Sequence, residues 1–422
     1  MVPGSVHKAH QKTNEASKLL TSAGYYQTGG EPLVMRHKWT TTLLLLLSTL
    51  LLTGCWDVKT IQDVQYITAI GVDYKDGKYE LYTQVLDFSS VAKQEGGKPQ
   101  TPAPIPVGHT TGRNMGEAFK NLYRSAQQLV FWGHVSAIVI GENLLDHGLT
   151  KEDFDTMIRF REMRYTPWLY GTKEPIEQIF TTKPLFHLSP QASILHQPEQ
   201  SYQQSSWFVP LTFQNFIADF REPGMTAMLP SLAISHTDWK QNDKPDPKLI
   251  VNGIYALRNN QKQGWFDHKS MAGLRWLEKE TLHTPLIITV DSEAVATLTC
   301  HKPKSHIQLS MDGGNPLYTI EVQMNASITE IMDPQISMTK MNELATQVIQ
   351  KEIESTFQVG KKSKADLYKL EHILYKRDFK AWSQITDFGQ KPADPISLKE
   401  VKVKLQLDNS GMYKAREEDD RY

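Results

Sequence analysis

Apolar positions change their spacing along the chain. At 43–52 they are continuous apart from Ser48 and Thr49, with Arg36, His37 and Lys38 before them and Leu52-Thr53-Gly54-Cys55 after. A hydrocarbon core about 30 Å thick needs about 20 apolar residues, so this run is too short to span one. A basic start, a short apolar segment and small residues before a cut are the parts of a secretory signal. A cysteine directly after Leu-Thr-Gly is the pattern of a bacterial lipobox, in which the sulfur takes a diacylglycerol and the cysteine becomes the mature N-terminus. Cys55 is therefore the candidate lipidation site, 35–54 the signal, and Met35 the expected translation start. Residues 1–34 are polar and without sustained period, and read as a misassigned extension.

Past the signal, shorter patterns predict the elements. A β-rich strand is expected at 64–72, and Tyr79, Leu81, Thr83 and Val85 alternate with Glu80, Tyr82 and Gln84, the period of a second strand. Asp76-Gly77 between them is a hairpin signal. Glycines and prolines make 89–110 an exposed loop. Met115, Ala118, Phe119, Leu122, Ala126 and Leu129 form a helical stripe. The apolar run 135–140 predicts a strand buried on both faces, and a helix is expected at 152–161. A strand at 165–170, interrupted by Pro167, belongs at a sheet edge. Pro175 opens a short helix at 175–180; 187–206 reads as polar surface. Phe213, Phe216, Ile217 and Phe220 share one face of a helix at 212–220, and 225–234 completes this body.

The polar stretch 237–248, with Lys244-Pro245-Asp246-Pro247, marks a linker. Strands at 249–257 and 263–266, a helix at 269–280 and a strand at 286–290 then make a middle unit. A third unit holds strands at 294–300, 307–311 and 317–331, long helices at 337–357 and 364–385, and a closing strand. In that strand Val401, Val403, Leu405 and Leu407 face inward while Lys402, Lys404 and Gln406 face water. The expected fold class is α+β: three domains (55–236, 249–291 and 292–415) on mixed or antiparallel sheets with packed helices, then a charged tail at 416–422.

Composition narrows the functional classes. With 40% hydrophobic and 22% charged residues the chain suits a folded body. Five Lys/Arg and two Glu precede Cys55, so a chain cut there carries 41 basic against 45 acidic residues. That balance offers no broad basic field and no expectation of nucleic-acid binding. With Cys55 a thioether, Cys300 has no partner in the chain, which excludes a disulfide-stapled fold; Cys300 is expected half-buried in a strand.

Motifs for chemistry are absent from the pattern: no nucleophile elbow, no zinc-protease helix, no dinucleotide fingerprint and no Cys-x-x-Cys. The chain reads as a non-enzyme without cofactor or metal. Gly71 and Gly77-Lys78 approach a phosphate loop, but the glycine spacing is wrong and Tyr79 stands where Ser or Thr would hold magnesium. His134 could be a general base, yet a structural histidine is the stronger reading. Arg159, Arg161, Glu162 and Arg164 could clasp a carboxylate, or form a solvated helix end. Asp57, Asp73 and Asp76 flank strands and turns without forming a calcium loop.

The opening Gly54-Cys55-Trp56-Asp57, Ile61 and Ala69-Ile70-Gly71-Val72-Asp73-Tyr74 resembles that of the Ger(x)C family, the lipoprotein C subunits of spore nutrient receptors. Further similar blocks are Thr111-Gly112-Arg113 with Asn121-Leu122, Phe131-Trp132-Gly133-His134 through Glu142, and Ile158-Arg159 through Arg164. Asn252-Gly253-Ile254 to Trp276 and the strand from Val401 to Gly411 match more loosely. One departure is Gly360-Lys361-Lys362-Ser363-Lys364-Ala365-Asp366, where the family has a Gly/Asp-rich turn between its last long helices. The resemblance implies a three-domain α+β body on the outer face of the spore's inner membrane. Its implied partners are an A subunit and a multi-pass, permease-like B subunit. The competing class is a solute-binding lipoprotein of a transport system, which would show two similar lobes about a hinge.

Overall fold

A computed structural model describes residues 42–43, 63–86, 104–159 and 162–408. The lipobox with Cys55, the extension, the signal apart from 42–43, Asp57, Arg161 and the tail lie outside the described residues. Within the compact unit 60–422, the elements in chain order are β1 (Val64–Lys75), β2 (Lys78–Val85), β3 (Val107–Gly112), α1 (Met115–Ser125), β4 (Leu129–Phe131) and β5 (Ala137–Gly141). Then come α2 (Glu142–His147), α3 (Lys151–Ile158), β6 (Trp168–Thr172), α4 (Ile176–Thr181), α5 (Pro198–Gln204), α6 (Phe213–Arg221) and β7 (Ala227–Ser235). The remainder is β8 (Lys240–Gln241), β9 (Lys244–Pro245), β10 (Lys248–Arg258), β11 (Gln261–Asp267), β12 (His283–Val290), β13 (Glu293–Asp312), β14 (Asn315–Ile331), α7 (Met338–Ser363), α8 (Leu370–Arg377), α9 (Phe379–Thr386) and β15 (Ser397–Asp408).

Two large sheets carry the fold, which is α+β. The first runs β11-β10-β7-β6-β5-β1-β2-β3, with β4 beside β1; the second runs β12-β13-β14-β15. β1, β4, β5, β6 and β7 are parallel neighbours, and β2, β3, β10 and β11 are antiparallel additions. The parallel centre explains the unbroken apolar run in β5, all of which is buried. One face is covered by α1, α2, α3 and α6, the other by α4. The β1–β2 hairpin has the expected register, Lys75 opposite Lys78, and Gly77 takes φ +75 in its turn.

Several expectations need correction. β6 is an interior strand: Pro167 lies just before it, and its carbonyl accepts from the Phe213 N–H at 2.8 Å. The middle unit has no sheet of its own. Its first two strands join the first sheet as β10 and β11, and its last joins the second as β12. β10 is buried over most of its length and pairs with β7 from Lys248 to Leu257, so it behaves as a central strand. The stretch 237–248 is accordingly the hairpin between β7 and β10, tipped by β8 and β9 with Asn242 and Asp243 at positive φ. The stripe at 269–280 forms turns and one short 3₁₀ segment, Leu274–Trp276. β13 is one continuous strand; the break read at 301–306 is a register shift between His301 and Lys304.

The expected helix at 364–385 is two helices. Lys364 and Lys369 both adopt left-handed backbone (φ 56), and Asp366 caps α8 by accepting from the Glu371 N–H at 2.7 Å. Asp378 caps α9 through the Ala381 N–H at 2.9 Å. Short polar side chains take up backbone donors that a continuous helix would use internally.

Candidate functional site

The residues singled out in the sequence are spread over the first sheet. Asp73, at the end of β1, accepts from Asn143 Nδ2 and the Leu144 N–H, both at 3.0 Å, and so anchors the start of α2. Burial raises its carboxyl pKa, partly opposed by these bonds. Asp76 is a turn residue with φ 51. His134 is exposed and packs edge-on to Tyr66, ring centroids 5.0 Å apart. Arg159 ends α3, and Glu162 accepts the Trp132 N–H at 3.4 Å. Among the described residues, His134, Asp73, Arg159 and Arg164 share no hydrogen bond or ion pair. Phe213 and Phe216 are buried against Phe154, so that stripe is core. Cys300 is fully buried, deeper than expected, and burial pushes its thiol up to about 12.

Most of the concentrated polar chemistry lies where the chain's halves meet. Arg258 of β10 donates to Glu371 Oε1 of α8 at 2.7 Å, and both side chains are buried. Glu371 also accepts from Trp382 Nε1 and the Ala393 N–H. Arg275 donates to both oxygens of Glu352 at 2.9 Å and to Thr284 and the Pro285 carbonyl. Its guanidinium lies over Trp207 and Trp276, 4.3 and 4.5 Å from the ring centres. Arg275 is thus stacked and paired, although the Nε of both arginines stays buried without an acceptor; buried ion pairs of this kind fix geometry more than they add stability.

Beside this seam is a cleft of about 290 Å³. Phe208, Leu211, Met228, Ile254 and Leu274 form its floor; Asp219, Glu278 and Lys369 stand on its wall. Lys369 pairs with Asp219 at 3.1 Å. Among the described residues nothing hydrogen-bonds the Glu278 carboxylate, and burial raises its pKa against the pull of Lys369. The volume sits just below the usual small-molecule range of about 300–1,000 Å³.

A second buried network crosses the first sheet. Gln84 Nε2 donates to the Phe180 carbonyl at 2.8 Å, which orients its Oε1 to accept from Thr68 (2.7 Å) and His196 Nε2 (2.9 Å). His196 Nδ1 then accepts from the Ser136 hydroxyl at 2.7 Å. The Gln84 oxygen fixes the Nε2–H, and burial, which pulls the pKa down to about 4, keeps the ring neutral with Nδ1 as acceptor. A Ser–His contact is not by itself a nucleophilic pair: here the ring is enclosed and its second nitrogen is held by an amide. On the second sheet His283 and His301 meet Nδ1 to Nδ1 at 3.0 Å. Among the described residues no third His, Cys, Asp or Glu completes a metal-ligand set there or elsewhere.

Compared with known proteins, the spore germination protein N-terminal domain family matches residues 57–234. The spore germination B3/GerAC-like C-terminal family matches 252–411. The chain belongs to the spore germination GerAC-like family. Spore germination protein KC of Bacillus subtilis (strain 168) is 24% identical over 404 residues, covering 90% of this chain and 97% of that one. Spore germination protein B3 of the same strain is 23% identical over 355 residues, covering 83% and 84%. The crystal structure of the GerBC protein aligns with a TM-score of 0.48 at 14% identity, over 80% of this chain and 96% of that chain. The two GerAC-like matches divide near the polar stretch, although β7 and β10 carry one sheet across it.

Proposed function

We propose that the chain is the C subunit of a spore nutrient receptor, a non-catalytic assembly component held to the membrane by a diacylglycerol thioether on Cys55. The reading rests on one observation: both GerAC-like domains follow in order, almost directly after a cysteine in lipobox context. The family match favours it over a solute-binding lipoprotein of a transport system. Among the described residues no helix is long and apolar enough to cross a membrane; in this reading the anchor supplies the attachment. Two fatty chains contribute on the order of 20 kcal/mol, at about 0.8 kcal/mol per buried methylene. The subunit then sits on the outer face of the spore's inner membrane beside an A-type and a permease-like B-type subunit, with nutrient recognition mainly on those partners.

Replacing the anchor residue tests this directly. Cys55→Ala is expected to move the chain into the aqueous fraction and abolish nutrient-triggered germination. Membrane retention and germination both unchanged in that variant would overturn the reading. Peptides from 1–34 in the unprocessed precursor would separately refute a start at Met35.

A further inference from the structure

β1, β4, β5 and β6 are parallel, so their first residues lie at one end of the first sheet. The chain enters that end at Val64, nine positions after Cys55, and a segment of that length reaches at most about 30 Å. Large apolar side chains stand exposed at the same end. Leu129, the first residue of β4, is 52% exposed; Tyr165, just before β6, is 54% exposed. Tyr123 is 44% exposed, and its hydroxyl accepts from Trp132 Nε1 at 3.0 Å, directly after β4.

The excursion after α4 opens at this end too. It leaves from Phe180, held by Gln84 near the end of β2, and returns at His196, held by Ser136 just before β5. At its outer part Phe186 is 78% exposed and Leu188 48% exposed. Phe186 takes φ 57, ψ 27, a left-handed conformation uncommon for so large a residue. Strained backbone that presents an aromatic ring to solvent is a mark of a functional segment. Exposed basic residues accompany these side chains: Arg124 follows Tyr123, Arg164 precedes Tyr165, and Lys183 leads into the excursion. Asp63 and Glu162 are acidic residues at the same end.

We infer that this end of the first sheet rests on the lipid surface, with Phe186, Leu188 and Leu129 entering the headgroup layer and the three basic residues meeting anionic lipid. The inference rests on Cys55 being the lipidated residue. The apolar side chains come from separate elements: Tyr123 from α1, Leu129 from β4, and Tyr165, Phe186 and Leu188 from the connections. A fluid bilayer accepts scattered protrusions of this kind, whereas a protein partner requires a complementary shape. Aromatic and aliphatic tips flanked by arginine and lysine are the composition of interfacial segments. The tether holds Val64 within about 30 Å of the anchor, which brings this end to the lipid more readily than the turns at Asp76 and Gly141.

Three single variants of the lipidated full chain test it: Phe186→Cys, Leu129→Cys and, at the opposite end of β1 and β2, Lys78→Cys. Buried Cys300 leaves the new thiol as the one open to an environment-sensitive fluorophore. Each labelled chain is placed on phosphatidylethanolamine–phosphatidylglycerol vesicles whose acyl chains carry a nitroxide quencher near the headgroup. Labels at 186 and 129 are expected to be quenched at least threefold more than the label at 78. Equal quenching at all three positions, on vesicles that carry the chain down on sedimentation, would overturn the inference and leave anchoring intact. If the chain lacks lipid and stays in the supernatant, the anchoring reading falls, and the inference falls with it.

Discussion

His196 is buried and Asp366 half-buried, and their pH effects run in opposite directions. His196 binds its proton more weakly in the folded chain, about 4 against 6.5. Its contribution is therefore complete above pH 6.5 and is lost as pH falls toward 4. Burial pushes the Asp366 carboxyl the other way, from 3.8 to about 6, so acidification through that window favours the folded state. Each difference is worth about 3 kcal/mol, at 1.36 kcal/mol per pKa unit, and between pH 6 and 4 they largely offset one another. Denaturant titrations at several pH values should separate them. His196→Gln is expected to gain stability relative to the parent as pH falls from 6 to 4, and Asp366→Asn to lose it. Identical slopes in the two variants would refute the assignment. The surroundings of His196 are not legible in the sequence. Gln84 shares one side of an alternating strand with Glu80, and 187–206 reads as polar surface, because nothing local announces that α4 covers that face. Cys55, in contrast, is read from sequence context alone, since basic flank, apolar run and small residues are contiguous.

Local patterns succeeded where each element carries its own signal. The Asp76-Gly77 turn, the buried run of β5 and the alternation of β15 depend on neighbours in sequence, and each lies where the pattern placed it. The failures involve partners far along the chain. Pro167 interrupts the apolar run and points to an edge strand, yet β6 starts after the proline and lies inside the sheet. The 364–385 stripe is periodic enough for one helix, but left-handed Lys364 and Lys369 and capping Asp366 and Asp378 divide it. The junction of β5 and α2 gives a test at this scale. A Cβ on Gly141 would overlap the Asp73 carboxylate that anchors the helix. Gly141→Ala must therefore displace Asp73 and forfeit that anchor, at a cost of about 1–3 kcal/mol. Gly116→Ala, on the open side of α1 with only ordinary contacts, should be neutral or slightly stabilising. Equal melting temperatures for Gly141→Ala and the parent would show that the contact is dispensable.

At the scale of the whole molecule, the decisive feature is how β10 joins the two sheets. Its residues Ile254 and Ala256, with Phe266 of β11, belong to the same buried cluster as Leu298, Ile320 and Ile349 around the second sheet. The Arg258–Glu371 pair ties the end of that strand to α8. A sequence divided at 237–248 suggests bodies that unfold separately, whereas a shared apolar cluster predicts coupling. Unfolding followed by tryptophan fluorescence and by far-ultraviolet circular dichroism should therefore give coincident transitions. Arg258→Ala leaves Glu371 buried without its cation, a loss of about 3–5 kcal/mol, and should shift both probes together. The double replacement Arg258→Met with Glu371→Leu should recover most of that loss, because an apolar pair of similar volume replaces a desolvated ionic one. Two separated transitions in the parent chain, or an Arg258→Ala effect confined to one probe, would mean that the sheets are independent bodies. The seam would then be a contact between them, and not part of a common core.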